Sequence, residues 1–244
     1  MKTARMSVLV SFLTLSACGH AQAQEASKDA AAAQKGEARD VSDFDGVAVS
    51  HGIQAEVKVG PKSVRLEGPS DLLSRVQLKV KDGVLVTEVE REGIFNNFRG
   101  SKVRLYVTNP RVHSVSASGG GHVEAEATHT DEFSAEASGG GVVTVRGVDA
   151  RKVEAEASGG SRVTLSGRAQ EMDAEASGGA AVLAFDVKGM KTLDAEASGG
   201  SRVEADVSDS VTGDASGGST IRLVSRPGRS DVDTSGGSRV TYKD

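Results

Sequence analysis

Ser-Gly-Gly occurs seven times from residue 118 onward, starting at Ser118, Ser138, Ser158, Ser177, Ser198, Ser216 and Ser235, with spacings of 20, 20, 19, 21, 18 and 19 residues. A period near twenty marks a solenoid, in which each repeat is one coil that buries its apolar face only against its neighbours. Aligned on the serine, the residue five after is Val123, Val143, Val163, Val182, Val203, Ile221 or Val240, and the residue seven after is mostly Val, Leu or Ala. On the other side, the residues one and three before are mostly Ala, and five before stand Phe133, Val153, Met172, Leu193 and Val211. Both arms alternate with period two, so each is a strand with one buried face. Between them Gly119, Gly139, Gly159, Gly178, Gly199, Gly217 and Gly236 open the glycine pairs that let the chain turn at positive φ. If every coil turns at the same residue, equivalent strands stack in parallel register about 4.8 Å apart.

The chain has no Trp, two Tyr and six Phe in 244 residues, so its core is built from Val, Ala, Leu and Ile. A bulky globular interior is excluded, whereas seven or more coils sharing one thin core need few aromatics. The expected class is all-β, a parallel β-helix or solenoid with coils of about twenty residues. Ahead of the repeats, residues 40–110 keep the alternation, as in Ala55-Glu56-Val57-Lys58-Val59 and Val84-Leu85-Val86-Thr87-Glu88-Val89, without Ser-Gly-Gly. Asp82-Gly83 predicts a hairpin turn, and a short helix is expected near Ser70 to Val76. The stretch from Gly93 to Gly100, with Phe95 and Phe98, reads as a loop.

The first residues read as an export signal: Lys2 and Arg5, then a short apolar run from Met6 to Leu15. Ten residues are too few to span a bilayer as a helix. Leu15-Ser16-Ala17-Cys18 is similar to a bacterial lipobox, and Cys18 is the one cysteine of the chain, so no intrachain disulfide can form. The resemblance implies cleavage after residue 17 and lipid on the Cys18 sulfur, which would tether the chain to a membrane. The alternative is a soluble secreted protein cut after Ala21-Gln22-Ala23. Residues 18–39, rich in Ala, Gln and charge, read as a flexible tether, and 40–244 as one β domain with its repeat coils from residue 111. Loss of residues 1–17 takes the formal charge from -5 to -7, which argues against a nucleic-acid partner. Gly19 after Cys18 is compatible with sorting to an outer membrane, facing the periplasm or the surface.

Phe44-Asp45-Gly46-Val47-Ala48-Val49-Ser50-His51-Gly52-Ile53, then Val107-Thr108-Asn109-Pro110 leading into the Ser-Gly-Gly coils, resembles the head GIN domain of auto-transporter adhesins over residues 40–244. The resemblance implies a right-handed β-helical fold, frequent occurrence in envelope lipoproteins and no catalytic residues or cofactor. Unlike an auto-transporter, residues 1–244 are expected to carry no translocating barrel.

Two residues before the serine stand Glu136, Glu156, Glu175, Glu196, Asp214 and Asp233, and four before stand Glu154, Asp173, Asp194 and Asp231. Stacking makes these two acidic stripes on one outer face. Like charges on neighbouring strands cost about 0.2–1 kcal/mol per pair. Stripes of this kind suit a divalent cation or a basic partner, or simply a solvated face that keeps a repetitive β surface soluble. The calcium-binding nonapeptide pattern of β-rolls is absent, and no resident metal is expected. Arg162, Arg202 and Arg239, four after the serine, form a partial row suited to an acidic glycan or phosphate, or ordinary surface charge. His113, His122, His129 and Asp131 lie close in sequence, but their spacing matches no zinc or hydrolase motif. The expected function is therefore a non-catalytic, envelope-anchored module for a glycan, a protein or a further copy of itself. The alternative is a glycan-active lyase or hydrolase, which would require an asymmetric cluster of acids in a groove.

Overall fold

A computed structural model describes residues 36–90 and 102–243, which form one compact unit beginning at Gly36. The export signal, Cys18, most of the tether and the loop from Gly93 to Gly100 lie outside the described residues. The last tether residues belong to the β unit: Glu37–Ala38 (β1) pairs antiparallel with Leu66 and Arg65, and the Arg39 N–H donates to the Val64 carbonyl at 2.9 Å.

The elements before the repeats are Gly46–Val49 (β2), Gln54–Val59 (β3), Ser63–Glu67 (β4), the single helical turn Ser70–Leu73 (α1), Val76–Lys81 (β5), Val84–Val89 (β6), Arg104–Asn109 (β7), Ser114–Ala117 (β8) and His122–Glu126 (β9). The repeats follow as His129–Ala137 (β10), Val142–Ser158 (β11), Arg162–Ser177 (β12), Ala181–Lys188 (β13), Met190–Ala197 (β14), Arg202–Ala205 (β15), Val207–Ala215 (β16), Thr220–Leu223 (β17), Arg229–Thr234 (β18) and Arg239–Tyr242 (β19). From β8 onward every pairing is parallel, and those among β8 to β19 join residues about one repeat apart. The fold is a parallel β-solenoid of about six turns.

One coil has three arms, and burial shows where it bends. In β11 the inward residues are Val143, Val145, Val148, Ala150, Val153, Ala155 and Ala157. Alternation slips at Arg146-Gly147 and again at Arg151-Lys152, where two successive side chains avoid the core; each slip is a corner. Gly147 takes φ 70 at the first. The third corner is Ser-Gly-Gly: both glycines have positive φ throughout, and in five of the seven corners the next residue's N–H returns to the serine carbonyl, as from Gly141 to Ser138 at 2.9 Å. Positive φ at both central residues defines a type I′ turn. A Cβ on the first glycine would lie 3.0 Å from the Gly199 nitrogen at Gly217, whereas one on the second meets nothing within 4 Å. The first glycine is thus held by stacking as well as by dihedral. The large residues five before the serine stack as predicted, with Phe133 on Val153, Val153 on Met172, Met172 on Leu193 and Leu193 on Val211, all buried.

An eighth corner precedes the repeats. In Ser50-His51-Gly52-Ile53, His51 and Gly52 have φ 59 and 77 and the Ile53 N–H returns to the Ser50 carbonyl at 3.2 Å. This is the Ser-Gly-Gly turn with a histidine in place of the first glycine. The coil it makes from β2 and β3 sits in the middle of a stack. β6 and β8 pair with opposite edges of β2, and β7 and β9 with opposite edges of β3. The chain thus lays one coil, passes beneath it to build the next from β6 and β7, and then crosses over to continue upward. The buried Asn109 side chain fastens the crossing, donating to the carbonyls of Phe44 at 2.7 Å and Arg111 at 2.6 Å. Beneath, the antiparallel strands β1, β4 and β5 with α1 close the end of the stack, and Asp82 and Gly83 (φ 50 and 79) form the predicted hairpin turn. Capping of this kind stops a regular stack from pairing onward.

Candidate functional site

The third arm of each coil, just before Ser-Gly-Gly, carries the first acidic stripe. Register pairs Glu136 with Glu156, then Glu175, Glu196, Asp214 and Asp233 in turn. Parallel in-register stacking sets neighbours about 4.8 Å apart, and all six side chains are exposed. Going down the stack, the same column passes through Ser116, Ala48 and Val86, so the acid begins only with Glu136. With Ser138, Ser158, Ser177 and Ser198, the ladder from Glu136 to Asp214 lines a shallow groove of about 300 Å³. Among the described residues, no Lys or Arg forms an ion pair with any of the six acids.

The second stripe differs. Glu154 and Asp173 share Lys152, whose Nζ lies 2.9 and 2.7 Å from them, with Glu132 at 3.7 Å. The hydrogen bonds from Asp173 and Glu154 hold the Lys152 ammonium well above the usual lysine range, and Lys152 in turn holds Glu154 below the usual carboxylate range. The second-arm face is balanced too: Arg151 bridges Asp131 at 2.9 Å and Glu171 at 3.0 Å, and His129 meets Asp149 at 3.0 Å. The fold therefore sets opposite charges side by side on the second arm and along the second stripe, and leaves one pure acidic row next to that stripe on the third arm.

On the first arm, register places Arg162, Ala181, Arg202, Thr220 and Arg239 in one column, so the predicted arginines stand on alternate strands. Arg222 enters the next column, and Arg202 and Arg222 share Glu204 at 3.7 and 3.8 Å. Phe185 lies beneath Arg222 and Lys243, whose charged ends are 5.7 and 5.5 Å from its ring centre, and Arg226 lies 4.5 Å over Tyr242. Spacing in sequence gave only the Arg row; the cluster needs the register.

The histidines do not converge. His113 faces Asp45 at 3.8 Å, His122 faces Glu124 at 3.4 Å, and His129 is on the second arm with Asp149. Lower on the first-arm face, Glu56, Arg104, Tyr106, His122 and Glu124 line a groove of about 240 Å³. Glu56 and Glu124 stand opposite one another there on adjacent strands. Lys58 lies 2.5 Å from Glu56, and the His122 ring lies 3.4 Å from Glu124. Among the described residues no three of His, Cys, Asp and Glu stand together as a metal cage. A calcium ion takes six to eight oxygens, more than one carboxylate per strand provides.

One internal row escaped the sequence reading. Ser161, Ser201, Ser219 and Ser238 follow the glycine pair and point inward, and their hydroxyls donate to the carbonyls of Ala137, Ala176, Ala197 and Ala215 at 2.6–2.9 Å. The recurrent Ser-Gly-Gly-Ser was its signal. It was masked because Gly121, Gly141 and Ala180 hold the same position in other coils.

The geometry defines a parallel β-solenoid with a long acidic row and a basic patch on separate flat faces. Residues 43–227 match the family model described as "Putative auto-transporter adhesin, head GIN domain", and the chain belongs to that family. Among solved structures it is similar to a putative adhesin from Bacteroides fragilis, with TM-score 0.76 and 18% identity over 85% of this chain and 95% of that one. It is also similar to a putative lipid binding protein from Parabacteroides distasonis (TM-score 0.61, 11% identity, 85% and 96% covered) and to a putative adhesin from the same species (0.56, 18%, 85% and 96%). At these identities the likeness shows the fold. No curated protein matches the sequence.

Proposed function

We propose that this chain is an exported, lipid-tethered and non-catalytic binding module of the bacterial cell envelope, presenting its flat faces to a glycan or protein. The observation that carries the reading is how the charged groups are arranged. They form repeated rows on exposed faces, the acidic ladder above all, where neighbouring strands contribute equal groups. Catalysis of acid-base type calls instead for two carboxyls in different environments, one kept protonated by burial. The adhesin description of the family supports an envelope or surface location. The lipobox-like run before Cys18 supports the anchor, and replacement Cys18→Ala is then expected to release the chain from the membrane fraction; unchanged partition would refute the anchor.

The groove at Glu56 and Glu124 favours a second reading, a glycan-active enzyme. One experiment separates the two. The chain from residue 19 onward is incubated on an array of envelope and host glycans, with and without calcium, and both retention and cleavage products are scored. Retention without cleavage is the expected result. Cleavage that Glu124→Gln abolishes would replace the binding reading with the enzymatic one.

A further inference from the structure

We propose that the basic end of the first-arm face, built by Arg202, Arg222, Arg239 and Lys243, docks the acidic ladder of a second copy of this chain. The inference rests on the reading of the solenoid as a binding module and names its partner. The patch stands out on a protein of formal charge -5. Arg202 and Arg222 share one carboxylate, Glu204, so that pairing leaves the patch positive. Arg222 and Lys243 lie against the Phe185 ring, and Arg226 against Tyr242. Cation-π contact and packing of the alkyl stems hold long side chains across the face instead of letting them sample solvent, so less freedom is lost when they bind.

The partner is chosen by charge and by repeat. Arg202 and Arg239 stand two strands apart with Arg222 on the strand between. Cations and carboxylates ride on the same parallel stack, so both sets are spaced in multiples of about 4.8 Å. Two ladder carboxylates two strands apart therefore match Arg202 and Arg239 in pitch, while Arg222, two residues further along the strand between them, adds charge from the next column. The ladder also lies open: its acids are exposed, lack cationic partners among the described residues and line a groove that side chains can enter. One exposed ion pair contributes little, but rigid rows of equal pitch form several at once. Donor and acceptor faces are different surfaces of one chain, so the contact is heterologous and propagates into open rows instead of closing as a dimer.

Sedimentation velocity on the chain from residue 19 onward tests this across a hundredfold concentration range, in dilute buffer and in about 1 M salt, where the screening length is about 3 Å. Association that grows with concentration in dilute buffer and vanishes in salt is expected. A basic-face variant, Arg202→Glu with Arg239→Glu, keeps its ladder; a ladder variant, Glu175→Lys with Glu196→Lys, keeps its basic face. Each alone is expected to be monomeric, and an equimolar mixture to form a one-to-one dimer and nothing larger. Circular dichroism and melting of each variant check the fold, and milder replacements, Arg202→Gln with Arg239→Gln, are expected to weaken association if the charge reversals do not fold. A monomeric parent chain, or folded variants that associate like the parent or stay monomeric when mixed, would overturn the proposal. So would a monomeric parent whose basic patch instead holds it on an immobilised anionic glycan. The glycan array does not depend on self-association, so failure of this contact and failure of the module reading are distinguishable.

Discussion

Gly213 breaks the pattern of its own row. Three residues before the serine the coils carry Ala135, Ala155, Ala174 and Ala195, and repeat averaging would place alanine at 213 as well. There the backbone runs at φ 129, and an added Cβ would lie 2.2 Å from the Ala195 carbonyl oxygen. Replacement Gly213→Ala is therefore expected to destabilise the chain by roughly 1–3 kcal/mol, as overpacking does, read as a lower urea midpoint. An unchanged midpoint would mean that the coil relaxes freely there. At this scale the sequence was legible where one residue type recurs. The seven glycine pairs and the inward valines were visible because position and chemistry repeat together. The corner at His51 was not, because a histidine took the left-handed conformation that glycine marks elsewhere. The buried serine row was hidden for a similar reason: glycine and alanine hold the same position in other coils, and only the nearby carbonyl shows that serine adds a hydrogen bond.

The elements raise a different question, namely how a chain that starts in the middle of a stack holds its layers in order. Alternation revealed the strands between residues 46 and 109 but not that β6 and β7 lie beneath β2 and β3, since pairing order is a property of the crossing, not of any strand. Asn109 sits at that crossing, its amide between the Phe44 and Arg111 carbonyls. A leucine there fills similar space but removes both donors, leaving two carbonyls in a buried setting. Unsatisfied buried groups cost about 1–3 kcal/mol each, so Asn109→Leu is expected to lose roughly 2–4 kcal/mol. Hydrogen exchange offers the sharper readout: protection should fall first in β2 and β8, whose pairing joins the first coil to the repeats. Equal loss along the whole stack would show that the amide does not act as a local clasp.

Across the whole molecule, the ladder opposes stability while the inward rows of Val, Leu and Ala favour it. The stripe was legible from spacing alone because the parallel register keeps equal residues together, whereas the compensating Lys152 and Arg151 contacts came from irregular positions and needed the structure. Glu175 has a like charge on both neighbouring strands, as does Glu196. Such pairs destabilise a sheet, and salt screens them over a length of about 10 Å at 0.1 M. Glu175→Gln with Glu196→Gln is therefore expected to raise the melting temperature by a few degrees in dilute buffer, with the gain shrinking as salt is added. Measurement at low protein concentration keeps self-association out of the comparison. A lower melting temperature would mean that the carboxylates are stabilised by a group not yet identified, and the case for an unpaired acidic face would fall. A gain would show that each coil keeps a charge its own fold would be better without, which places the use of that charge outside the chain.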